Sequence, residues 1–292
     1  MKNVILLASL LGLLFMSSCK DDEDNSSTQK MKLAINGLED LGSDYAYEGW
    51  IIVNGSPKTT GTFTVNSSGA LSQTEFDVEM ADLQSASAFV LTIEPIPDND
   101  PAPSDVHILA GDLTKGAGSL SVGHGAALGS DFASSAGKFI LATPTDGMDN
   151  NENSGVWFLD PAAGPGAGLT LPTLPAGWKY EGWAVIGGTP VSSGTFSAVD
   201  AADDAAPFSG SEPGPPFPGE DFLMNAPSGL TFPTDLSGAT MVISIEPVPD
   251  NSSAPFLLKP LVGAAPANAM DHTAYGMNQN LGSLPTGSVS AE

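Results

Sequence analysis

Apolar residues along this chain come in short runs, several of which alternate with polar neighbours. Residues 50–53, 61–65, 76–80, 89–93 and 106–109 are rich in β-branched and aromatic side chains and are bounded by Asn-Gly, Ser-Gly or Pro. A period of two between such breaks predicts strands. Asn54-Gly55 predicts a tight hairpin, because both residues tolerate positive φ. No stretch keeps a helical period for long. Many short strands with frequent turns predict an antiparallel sandwich.

The pattern is also duplicated. Tyr-Glu-Gly-Trp occurs at 47–50 and again at 180–183. Leu-Ala-Ile-Asn-Gly-Leu from Leu33 precedes the first copy, and Leu-Thr-Leu-Pro-Thr-Leu from Leu169 precedes the second. Downstream, Val-Leu-Thr-Ile-Glu-Pro-Ile-Pro-Asp-Asn from Val90 matches Val-Ile-Ser-Ile-Glu-Pro-Val-Pro-Asp-Asn from Val242. The second copy carries about 19 extra residues, within 200–221, whose acids and prolines suit an extended loop. Between the copies, residues 139–144 and 156–159 read as the last strand of one lobe and the first of the next, or as one hairpin joining them. The expected fold is therefore all-β, with two tandem Ig-like antiparallel β-sandwich lobes at 31–150 and 151–292. In this reading Gly49 and Gly182 let the backbone turn or approach closely, Trp50 and Trp183 seed equivalent cores, and Glu48 and Glu181 face water.

Composition changes the picture mainly by exclusion. The formal charge is −25, and all nine basic residues are lysines. Nucleic acids and anionic headgroups draw proteins through Lys and Arg, so neither is an expected partner. The N-terminus adds a membrane link of another kind. A basic start, a twelve-residue apolar run at 4–15 interrupted only by Ser9, and small residues before Cys19 form a secretory signal over 1–18. Twelve residues cover roughly 18 Å as a helix, short of the roughly 30 Å hydrocarbon core. Cys19 is the single cysteine, so no intramolecular disulfide can use it. The segment resembles a bacterial lipoprotein signal, which implies that Cys19 is acylated and anchors the chain to the outer membrane, although Met16 and Ser17 depart from the usual lipobox. Lys20 and the acids 21–24 resemble the export signal of surface lipoproteins of the Bacteroidota, and 19–30 reads as an acidic flexible tether.

The duplicated motif, Tyr47, Trp50, Gly55, Gly61, Phe63 and Glu94-Pro95, then Tyr180, Trp183, Gly188, Gly194, Phe196 and Glu246-Pro247, resembles the extracytoplasmic C-terminal domain of anti-sigma-K factors of the RskA type. The resemblance implies an outer sensing or binding domain. Anti-sigma factors of that family also carry a cytoplasmic sigma-binding segment and a spanning helix; neither is legible here, so direct sigma-factor binding is not expected.

Catalytic chemistry finds little support in the residue pattern. His107, His124 and His272 stand in unrelated contexts, and no Gly-x-Ser-x-Gly elbow occurs. Glu94 and Glu246 recur at strand ends beside proline, where a carboxylate accepts turn N–H groups more readily than it does acid–base work. Tyr47, Trp50, Tyr180 and Trp183 suit core packing better than a sugar-stacking platform. The one cofactor with a candidate loop is calcium: Asp149, Asn151 and Asn153 have one-three-five spacing and Asp160 takes the twelfth place. The first expectation is a non-enzymatic, lipid-anchored envelope protein that senses or binds a protein or glycan partner. The alternative is a calcium-supported adhesion or glycan-binding lipoprotein.

Overall fold

The computed structural model describes residues 27–147, 150–250 and 252–292. The signal segment, Cys19 and Asp149 lie outside the described residues. Strand accounts for 42% of the chain and helix for 5%, so the class is all-β.

Seven strands come first: β1 (Thr28–Asn36), β2 (Tyr45–Val53), β3 (Ser56–Phe63), β4 (Glu75–Glu79), β5 (Ala88–Pro95), β6 (His107–Asp112) and β7 (Gly118–Ser121). A six-residue helix, α1 (Met80–Ser85), follows β4. The middle of the chain adds β8 (Ala136–Leu141), β9 (Gly155–Trp157), β10 (Leu159–Asp160), β11 (Gly166–Ala167) and β12 (Leu169–Thr170). The remaining strands are β13 (Trp178–Ile186), β14 (Thr189–Phe196), β15 (Gly219–Asp221), β16 (Thr240–Pro247), β17 (Leu261–Ala264), β18 (Tyr275–Gln279) and β19 (Thr286–Ala291). Apart from β10 and β11, which pair only with each other, they form two large antiparallel sheets, each nearly closed into a sandwich or barrel lobe.

The first sheet runs β3-β2-β5-β6-β7-β19-β1-β4, and the second runs β14-β13-β16-β17-β18-β8-β9-β15 with β12 also on β8. Both therefore repeat one arrangement, with a reciprocal exchange. β8, the last strand before the second copy, enters the second sheet; β19, the last strand of the chain, returns to the first. β12 aligns with β1 in the duplication, and it pairs with β8 as β1 pairs with β19. The boundary expected at 150 separates the repeats in sequence, but neither lobe is a contiguous segment. The 139–144 and 156–159 runs are neighbours in one sheet, with Ile140 opposite Trp157. The tether also ends earlier than residue 30, since Thr28 to Lys30 already pair with β4.

Alternation explains the burial of β1, where Met31, Leu33 and Ile35 point inward. The predicted Asn54-Gly55 turn joins β2 to β3, with φ of 51° and 78°. β2 is covered on both faces. Tyr47 stacks on Phe63 at 5.6 Å and Tyr180 on Phe196 at 5.6 Å, and all four belong to one apolar core running through both lobes. Trp50 does not seed that core: it packs with Val90, Ala110 and Ala127 on the other side of the sheet. A register shift at Gly49/Trp50 and its copy at Gly182/Trp183 puts one extra residue on the partner strand, Thr60 in β3 and Ser193 in β14. Gly49 and Gly182 do allow close approach, since a Cβ there would lie 2.9 Å from the Phe89 ring and 2.6 Å from the Phe158 ring. Among the described residues, no helix is long and apolar enough to cross a membrane.

Candidate functional site

The Glu-Pro loops that end β5 and β16 face one another across the junction of the lobes. Between them lies a cleft of about 590 Å³. Its first-lobe wall includes Leu41, Tyr45, Ile93 and Val106; its second-lobe wall includes Pro247, Val248 and Phe256. Glu39, Asp40, Glu246 and Asp250 add four carboxyl groups to this apolar lining. At matching positions of the two loops, Ile96 and Val248 stay 48% and 43% exposed.

The repeated letters place three acids in each lobe: Glu48, Glu94 and Asp98, then Glu181, Glu246 and Asp250. Glu48 and Glu181 do not face water as expected; they are buried, and each Oε1 accepts a hydroxyl, from Thr59 and Ser192 respectively. The hairpin folds β3 and β14 back over β2 and β13, which carries those hydroxyls into place. Glu94 and Glu246 do take turn N–H groups, Ser104 N at 2.9 Å and Phe256 N at 2.9 Å. Trp183 donates Nε1 to Ser244 Oγ at 2.7 Å, and Ser244 in turn donates to Glu246. The first lobe keeps the indole bond, Trp50 to Thr92 at 2.9 Å, but Thr92 points its hydroxyl at the Glu48 backbone carbonyl.

In the second lobe one carboxylate oxygen from each of Glu181, Glu246 and Asp250 lies within 4.8 Å of the others. Burial raises Glu181 to about 8, opposed by the Ser192 hydroxyl and reinforced by the charges of Glu246 and Asp250. Burial likewise raises Glu246 to about 7. Glu48 is raised by burial, with Glu94 and Asp98 adding repulsion.

The motif tyrosines and tryptophans form no open platform: Tyr47, Trp50, Tyr180 and Trp183 are all at most 3% exposed. The candidate calcium loop is divided among other partners. Asn151 donates to Asp146, Asn153 donates to Ser237 and the Ala269 carbonyl, and Asp160 pairs with Lys138 at 2.5 Å. His107 bonds the Ala126 carbonyl, His124 faces Asp112, and His272 is exposed beside Asp271.

The charge pattern also concealed a second group of buried acids. The 200–221 insertion ends in β15, so it is not loop throughout; Glu220 and Asp221 there are fully buried. Asp221 accepts from Trp157 Nε1, Thr145 N and the Thr145 hydroxyl, and Glu220 from Ser209. Glu181 was missed because acids normally mark the surface, and Asp250 because it is an exposed acid like many others on this chain until the fold sets it beside Glu181 and Glu246. Their recurrence as Glu48 and Asp98 was the available signal.

No protein-family model, curated protein or solved structure matches this chain.

Proposed function

We propose that this chain is a non-enzymatic binding module of the cell envelope, carried at the outer membrane by acyl chains on Cys19, whose ligand seats between the lobes. The observation that carries this reading is the cleft itself, built by equivalent loops of the two repeats and lined by apolar side chains under carboxylates. Such a lining suits an apolar ligand bearing positive charge, and the proposed ligand class is a basic, partly apolar peptide of an envelope protein. The resemblance to the outer domain of RskA-type anti-sigma-K factors supports a sensing role for such binding. It gives this chain no sigma factor to hold directly.

Short peptides alternating Lys and Leu, with Glu–Leu peptides of equal length as controls, test the reading by calorimetry and thermal shift. The Lys–Leu peptide should raise the melting temperature of the wild type. Asp40→Lys, which reverses a charge at an exposed cleft position, and Ser252→Trp, which fills the mouth, should abolish the rise. Equal responses to both peptides, or none to either, would overturn it. A rise with neutral oligosaccharides alone would put a glycan in the cleft.

A further inference from the structure

We propose that Glu181, Glu246 and Asp250 hold a divalent cation, calcium by the nature of the donors, at the second-lobe edge of the cleft. The three carboxylates converge within 4.8 Å, and no lysine forms an ion pair with any of them among the described residues. Lys259 feels the charge of Glu246, and that of Glu39 more strongly, yet pairs with neither. An acidic cluster alone would be unremarkable on so acidic a chain.

The deciding observation is a bare oxygen. Glu181 is 4% exposed, its Oε1 is taken by the Ser192 hydroxyl, and its Oε2 is buried with no hydrogen-bond partner. A buried carboxylate oxygen without a donor loses its hydration and gains nothing in exchange, so native proteins seldom leave one. The nearest group on this side of the Glu181 carboxyl is Asp250, a second carboxyl that can bond to it only when one of the two holds a proton, so with both ionised the oxygen has no donor. Glu246 is fixed by Ser244 and by the N–H of Phe256. Asp250 Oδ1 accepts Ser252 N at 2.8 Å and its side chain is exposed, which leaves an approach from the cleft. Two carboxylates are thus oriented by donors on one side while the cluster between them lacks a positive charge.

The donor set selects the metal. Oxygen ligands with neither histidine nor cysteine fit calcium and argue against zinc. Calcium takes about six to eight oxygens, so water or a cleft ligand would complete the shell. The candidate loop read from the sequence is not this site: Asp160 is engaged by Lys138. The cation site is also independent of the peptide reading, since it is measured with metal alone.

The test is calorimetry and thermal shift of the full chain, freed of metal with EGTA, against calcium chloride, with magnesium chloride and sodium chloride as controls. Wild type should be stabilised by calcium in the submillimolar to millimolar range, on the order of other extracellular sites. Asp250→Asn, at an exposed position that leaves the core intact, should weaken this site by roughly tenfold or more through lost ligand charge. Glu181→Gln should remove one site from the stoichiometry, while Asp149→Ala should change nothing. Terbium luminescence excited through tryptophan gives a second readout: Trp183 sits one hydroxyl away from Glu246, so emission should fall in Trp183→Phe and in Asp250→Asn. The proposal is overturned if calcium does not stabilise the wild type. It is equally overturned if the Glu181→Gln, Asp250→Asn double variant keeps wild-type stoichiometry and affinity.

Discussion

The two lobes share a strand order and a motif, yet they cover the same bulged strand position in opposite ways. In the first, Gly61 lies under the ring of Phe76, 3.2 Å from where a Cβ would stand, and Phe76 packs on Phe63. In the second, Gly194 lies under the carboxyl of Asp203, at 2.7 Å from the same imagined atom. The insertion has replaced an aromatic cover with a polar one, and Asp203, Glu220 and Asp221 are held by Gly219, Ser209, Thr145 and Trp157. A duplicated sheet thus tolerates exchange of apolar for hydrogen-bonded cover, provided that each buried oxygen finds a donor.

The strand exchange makes the largest prediction. Val289 of β19 is 2% exposed in the first lobe, and Phe139 of β8 is fully buried in the second, 5.7 Å from Tyr275. Burying a charge at either place should cost about 3–5 kcal/mol. The informative point is where the damage falls. By peptide-resolved hydrogen exchange, Val289→Asp should loosen β1 and β7 and spare β17 and β18, although it lies in the second repeat. Phe139→Asp should do the reverse. Loosening confined to the repeat that encodes the mutated strand would contradict the exchange.

Next come the glycines under aromatic rings. A Cβ at Gly182 would meet Ser193 Oγ at 2.3 Å and Phe158 at 2.6 Å; at Gly49 it would meet Thr60 Oγ1 at 2.5 Å and Phe89 at 2.9 Å. Overpacking of this kind costs about 1–3 kcal/mol. Urea denaturation should therefore show both Gly→Ala variants destabilised, with Gly182→Ala the worse of the two. Equal, negligible effects would mean that the rings move aside freely.

These comparisons show how far the residues themselves could be read. Strands β2 to β6, the Asn54-Gly55 turn and the duplication were legible because they are local, set by a period of two and by residues that tolerate positive φ. The exchange of β8 and β19 was not, because Ala-Gly-Lys-Phe-Ile-Leu and Thr-Gly-Ser-Val-Ser-Ala share little beyond one glycine, and sheet partners are chosen over long separations. Trp50 falls on the face opposite Tyr47, Ile51 and Val53 by plain alternation; both faces of β2 are covered, so its apolar character did not reveal which cluster it joins. Glu181, Glu220 and Asp221 looked solvated because their donors, Ser192, Ser209 and Thr145, come from other segments and are visible only after folding.

A smaller effect sharpens the contrast between aromatic and acidic cover. Burial raises Asp203 to about 8, with Glu220 and Asp204 adding repulsion and the Gly219 N–H pulling down. An unfolded aspartate titrates near about 4, so between about 4 and 8 the folded state holds a proton that the unfolded state has released. Stability must then fall as pH rises through that window. Thermal unfolding should show a loss of about 1–2 kcal/mol from this carboxyl between pH 5 and pH 8, within the reach of a shift of this size. Asp203→Asn should flatten that part of the profile. An unchanged slope would place the titration elsewhere, Glu220 being the next candidate because burial raises it to about 7.

The smallest expected difference tests how closely the duplicated core repeats its energetics. Tyr47 donates its hydroxyl to the Glu39 carbonyl at 3.0 Å, and Tyr180 donates to the Pro172 carbonyl at 2.7 Å, each eight residues back. Both rings keep their phenylalanine partner, so removing only the oxygen isolates one hydrogen bond in two nearly identical settings. Each Tyr→Phe change should cost about 0.5–1.5 kcal/mol. The shorter bond, in the second lobe, should cost slightly more. Glu39 also lines the cleft, and burial raises its carboxyl, so the Tyr47 bond holds a cleft residue while the Tyr180 bond holds only the chain entering β13. Tyr47→Phe should therefore weaken the response to the Lys–Leu peptide as well as stability, whereas Tyr180→Phe should affect stability alone. If both variants weakened peptide binding alike, the effect would come from general loosening of the core, and Glu39 would have no separate part in the cleft.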